Sequence, residues 1–146
     1  MFEKSPLESE IIGLGKATFN TEESAWELNE QPKNLTHGLD LSFCCISGNE
    51  QGPNQNNVKA FTRYIESPNL LWKFIDTKFQ IKASEDIPEI TTNNFKDHFY
   101  IYSLTLSSPN EFEVGFHARN MDIFIELFII NNTIKNIEKD VGCCTV

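Results

Sequence analysis

Alternation of apolar and polar residues is clearest between Asn110 and Ile137. Phe112, Val114 and Phe116 alternate with Glu111, Glu113 and His117, the period of two that marks a strand with one face on a core and the other in water. From Met121 to Ile129 every odd position is apolar: Met121, Ile123, Ile125, Leu127 and Ile129. The even side carries Asp122, Phe124, Glu126, Phe128 and Ile130, which predicts a central strand whose second face is partly covered. Ala118-Arg119-Asn120 and Asn131-Asn132 supply turns, since asparagine tolerates left-handed backbone and bonds to its own turn. A β-meander follows from this spacing.

The first ten residues are polar and charged, and 1–9 reads as a loose lead-in. Ile11 to Phe19 has β-formers with Gly13 and Gly15, and glycine inside a strand marks a bulge or a close backbone approach. Asn20 to Glu23 is a turn, and Trp26 and Leu28 alternating with Glu27 and Asn29 predict a hairpin partner for that strand. Leu35, His37, Leu39, Leu41, Phe43 and Cys45 alternate with polar residues and Cys44 through Ile46. After a loop over Ser47 to Asn56 the period changes to that of a helix, with Val58, Phe61 and Ile65 on one face and Tyr64 beside them. Ser67-Pro68 reads as an N-cap with proline at the first helical position, restarting a helix that gathers Leu71, Phe74, Ile75, Lys78 and Phe79. Lys82 to Asn94 is a polar connection. His98 to Ser107 returns to strand, with Tyr100, Tyr102, Leu104 and Leu106 opposed by Phe99, Ile101 and Thr105.

The element order β-β-β-α-α-β-β-β predicts an α+β fold: a twisted, mainly antiparallel sheet of about six or seven strands with a helical pair on one face. At 146 residues one domain over 1–146 is expected, with 141–146 a flexible tail. Forty per cent hydrophobic residues, twelve of them phenylalanine, suffice for a core without disulfide or metal. The four cysteines stand as adjacent pairs, Cys44-Cys45 and Cys143-Cys144, and neighbours on a strand point to opposite faces. They read as structural thiols. Cys143 to Val146 matches the form of a prenylation box, but no polybasic segment precedes it. The N-terminal residues carry no signal-peptide pattern and no apolar run spans a bilayer, so a cytoplasmic location is expected.

Net charge is −9, from 21 acidic against 12 basic residues. Such a surplus repels nucleic-acid phosphates and anionic membranes, which are not expected partners, and attracts a basic protein. Residues 1–30 alone hold seven glutamates against Lys4 and Lys16.

Signs of catalysis are sparse. His37, His98 and His117 each sit inside a strand pattern; His98 and His117 would face each other if their strands pair, but no metal-binding spacing fixes them. Gly13-Leu14-Gly15-Lys16 lacks the span and ending of a P-loop. No cofactor, metal or enzymatic role is expected. Aromatic anchors suit a binding role better, above all Phe124 and Phe128, which share a strand face with Asp122 and Glu126.

The order of these elements over 10–140, ending in Phe112-Glu113-Val114-Gly115-Phe116 and Asn131-Asn132-Thr133-Ile134-Lys135-Asn136-Ile137, resembles that of small acidic bacterial proteins carried beside polymorphic toxins. Those are regarded as immunity proteins, including those of contact-dependent growth inhibition. The resemblance implies that the chain binds and neutralises a cognate toxin domain, basic and of nuclease type. Acidic residues near exposed aromatics are the expected contacts: Glu22, Glu23, Glu27, Asp122, Phe124, Glu126 and Phe128. Two rivals stand beside it: a small hydrolase or ligand-binding protein with a pocket between sheet and helices, and an adaptor acting through a sheet edge.

Overall fold

The structure is a computed structural model that describes residues 7–33, 35, 38–91 and 93–141. Its strands are β1 (Glu8–Ile11), β2 (Gly15–Asn20), β3 (Ala25–Leu28), β4 (Leu39–Asn49) and β5 (Gly52–Pro53), then β6 (Phe99–Ser108), β7 (Glu111–Ala118), β8 (Ile123–Ile130) and β9 (Thr133–Val141). Four helices stand between β5 and β6: α1 (Gln55–Glu66), α2 (Asn69–Trp72), α3 (Thr77–Ser84) and α4 (Phe95–His98). The fold is α+β. The strands follow the path β1-β2-β3-β4-β6-β7-β8-β9, with β5 attached to β4. Every pair is antiparallel except β4 with β6. Two parallel neighbours need a crossover, and the four helices supply it.

That crossover puts all the helices on one side. Phe79 of α3 meets Phe99 and Phe116 edge-on, with centroids 5.5 and 5.2 Å apart. Trp72 of α2 packs on Phe116 at 5.3 Å, and Tyr64 of α1 on Phe112 at 4.9 Å. Ile101, Leu104, Leu106, Val114, Ile125, Leu127 and Ile129, all fully buried, belong to the sheet side of this core, with Leu41 and Ile46 of β4. Asn57, only 4 % exposed, gives its Nδ2 to the carbonyls of Ser47 and Ser107, fastening α1 to the ends of β4 and β6. No helix among the described residues is long and apolar enough to cross a membrane.

Several boundaries differ from the sequence-based expectation. Among the described residues there are nine strands and four helices, against six or seven strands and a helical pair. β1 begins at Glu8, inside the expected lead-in, because its residues pair with β2 around a turn at Gly13 and Gly15. Both glycines have positive φ, +83° and +113°, so they reverse the chain instead of bulging a single strand. Ser67 ends α1, its N–H bonding to the Arg63 carbonyl, and the next helix splits where Asp76 caps α3 through the N–H groups of Lys78 and Phe79. The polar segment after Lys82 is held down by buried Ile87 and Ile90. β9 is nine residues long and takes in Val141; β8 lies next to this edge, not at the centre of the sheet. The rest of the expected tail, with Cys143 and Cys144, lies outside the described residues, as does His37.

Candidate functional site

With the helices stacked on one side, the other side of the sheet carries no helix among the described residues. Pairing fixes which side chains share it. One row runs Glu27, Cys45, Thr105, Glu113, Phe128, Asn136 from β3 to β9. A second runs Phe43, Ser103, Gly115, Glu126, Glu138, and a third Tyr100, His117, Phe124, Asp140.

Two register shifts shape this face. In β4 the pairing shifts between Leu39 and Phe43, and in β6 between Ile101 and Ser103. A bulge lets two successive side chains point the same way, here Ser42 with Phe43 and Tyr102 with Ser103. Leu39 and Leu41 enter the core as expected, but Cys44 and Ile46 then turn inward and Phe43 turns out, reversing the expected alternation after Leu41. The same device returns Leu104 and Leu106 to the core beside Phe99 and Ile101, while Tyr100 and Tyr102 face outward. Phe43 is 51 % exposed near the middle of the sheet.

The rings form a connected cluster. His117 stacks on Phe124 with centroids 4.4 Å apart and planes 19° from parallel. Tyr100 stands edge-on to His117 and its hydroxyl meets Nδ1 at 2.5 Å. Tyr102 stands edge-on to Phe124 at 5.1 Å and donates its hydroxyl to Glu126 Oε1 at 2.7 Å. Burial first, then the bond to Glu126, pushes the Tyr102 pKa upward and keeps it a donor. Burial and the Asp40 charge also raise Tyr100, against the opposing pull of Arg119, whose guanidinium carbon lies 5.7 Å from the Tyr100 centroid. When Tyr100 donates to Nδ1, a neutral His117 carries its hydrogen on Nε2. That atom is buried without a hydrogen bond, 3.7 Å from Asp122 Oδ1.

Carboxylates border the rings. A groove of about 210 Å³ between β7, β8 and β9 is lined by Glu113, Glu126, Phe128, Asn136 and Glu138. Burial, then the charges of Glu126 and Glu138, raise the Glu113 pKa. Lys139 of β9 projects to the helical side, where Nζ binds Glu85 and Asp86 at 2.9 and 2.8 Å.

Of the residues singled out from sequence, Phe124, Glu126 and Phe128 share one strip of this face, and Asp122 adjoins it through His117. Glu27 shares the face on β3, four strand spacings away, or about 19 Å at ~4.8 Å per spacing. Glu22 and Glu23 lie exposed in the β2–β3 turn, their N–H groups bonded to Asn20 Oδ1. The face adds Phe43, Tyr100, Tyr102, Glu113, His117 and Glu138; an outward Tyr102 follows only from the bulge, whereas Glu113 was already on the polar side of its strand. His98 closes α4, and His117 pairs across the ladder with Tyr100. No three His, Cys, Asp or Glu side chains among the described residues gather as metal ligands. A separate concavity of about 490 Å³ beside β5 and the start of α1 is lined by Ser, Gly, Asn, Gln and Pro only, which gives it no group to act as acid or base.

No family model, curated protein or solved structure matches the chain.

Proposed function

We propose that this protein is an immunity-type inhibitor, which docks its uncovered sheet face on a basic toxin domain and neutralises it by occlusion. One observation carries the reading: the net charge is segregated. Residues 55–98, which hold the four helices, contain six basic and six acidic side chains. The strand-bearing remainder contains six basic and fifteen acidic ones, the whole of the −9. The uncovered face belongs to that remainder, with aromatic rings at its centre and carboxylates around them.

Size supports the same reading. Eight strands in the path span about 34 Å at ~4.8 Å spacing, and six residues of strand about 20 Å. The projected area of roughly 700 Å² is close to the ~800 Å² that each partner contributes to a standard interface. A surplus of charge of this kind raises association rates by roughly 10–10³ through steering, while desolvated rings slow dissociation.

The experiment is stopped-flow association with the product of the neighbouring reading frame at increasing salt. Steered docking predicts an association rate that falls about tenfold or more as the Debye length shrinks from ~30 to ~8 Å. A salt-independent rate, or no complex, sinks the proposal.

A further inference from the structure

The chemistry of the uncovered face goes beyond negative charge. Phe43 is turned outward by the β4 bulge, with more than half of its surface in water. Tyr102 is turned outward by the β6 bulge and holds Glu126 by one oxygen at 2.7 Å. Phe124 offers one ring face to His117 at 4.4 Å. The fixed carboxylate therefore stands among rings, with a second oxygen that Tyr102 does not occupy.

Cations of both kinds sit on rings within the chain, Lys73 5.1 Å from the Phe74 centroid and Lys96 5.4 Å from that of Trp72. Arg119 lays its guanidinium 5.7 Å from the Tyr100 centroid while its Nε donates to the Lys96 carbonyl. Ring contact alone therefore does not choose between them, and the choice falls to stacking combined with a carboxylate fork. A guanidinium is planar and weakly hydrated, so it stacks on a ring and forks to a carboxylate at once; an ammonium holds its water and acts as a point charge. A face of carboxylates alone would separate the two cations by the fork only; the rings add the stacking.

We propose that the strip formed by Phe43, Tyr102, Phe124 and Glu126 takes arginine side chains from an exposed segment of a protein partner, in preference to lysine. This rests on the docking reading above and adds the identity of the contacting residues. The partner's contact surface is accordingly rich in arginine, and conservative arginine-to-lysine replacements there weaken the complex although charge is kept.

Titration calorimetry of the full chain with nona-arginine and nona-lysine as probes, at equal salt, tests it. Stacking and forking together predict nona-arginine binding ~tenfold tighter, the equivalent of ~1.4 kcal/mol. Phe43→Leu and Phe124→Leu keep apolar bulk but remove the rings; combined, they bring the ratio below ~twofold, with melting curves confirming that the variants stay folded. Equal affinities in the wild type, both weakened by Glu126→Gln, overturn the arginine preference and leave the docking face standing. Binding of neither peptide, or binding of both that no variant on the face alters, overturns both.

Discussion

Gly115→Ala tests the construction of the aromatic face directly. Gly115 sits opposite the β6 bulge, paired with Ser103, and its backbone does not need the left-handed region. What it lacks is space: an added Cβ would meet Ser103 Oγ and would stand 2.6 Å from Tyr102 Cε1. The Tyr102 ring would have to move, breaking its bond to Glu126. Overpacking of this kind costs ~1–3 kcal/mol, and the half-exposed hydrogen bond adds about 1 kcal/mol after screening. A total of roughly 2–4 kcal/mol corresponds to a fall of about 6–13 °C in Tm at this chain length. Circular dichroism melts and urea titrations read it. A double-mutant cycle with Tyr102→Ala assigns the ring's share, because removing the ring first lowers the cost of Gly115→Ala by ~1 kcal/mol or more while the Ser103 Oγ contact remains. A Tm within ~2 °C of wild type, or equal losses in both backgrounds, refutes the reasoning.

Other consequences follow from single side chains. Asn57→Ala leaves the Ser47 and Ser107 carbonyls without their shared donor and is expected to cost ~1–3 kcal/mol, read as a lower urea midpoint with an unchanged slope. Glu113 has a raised folded-state pKa, so the native state holds its proton to higher pH than the unfolded chain does, and ionisation above that pKa weakens the fold. Glu113→Gln is therefore expected to stabilise at neutral pH, with a gain over wild type that disappears as pH falls through the folded pKa; a pH-independent difference would contradict this. Burial pushes the Cys44 and Cys45 thiols up to about 12, helped by each other's proximity at Cys44 and by Glu27 and Glu23 at Cys45. At pH 8 thiolate is about one part in 10⁴, so mass spectrometry after iodoacetamide should find the Cys44-Cys45 peptide unmodified in native protein and fully alkylated in denaturant.

Much of the architecture was legible in local pattern. The strict alternation from Ile123 to Ile130 placed Ile125, Leu127 and Ile129 in the core and Phe124, Glu126 and Phe128 opposite, because a strand has only two sides. Asn131 and Asn132, at φ of 49° and 65°, make the expected β8–β9 turn. The helical spacing of Phe61 and Ile65 was likewise sufficient to place α1 and its buried stripe.

What periodicity cannot carry is a change of phase or a choice of neighbour. The bulges at Ser42–Phe43 and Tyr102–Ser103 insert residues into strands, and one inserted residue sends every later side chain to the other face. Read as unbroken alternation, the same residues bury Tyr102 with Leu104 and mistake the face of Phe43. The parallel pairing of β4 with β6 is decided across the intervening residues 50–98, by helices that bury their apolar stripes on one side of the sheet and leave the other without a helix among the described residues. Composition by itself determined that the chain is acidic and able to build a core; only the tertiary structure decided that the carboxylates surround a patch of rings, since that depends on which strands lie side by side and where their registers slip.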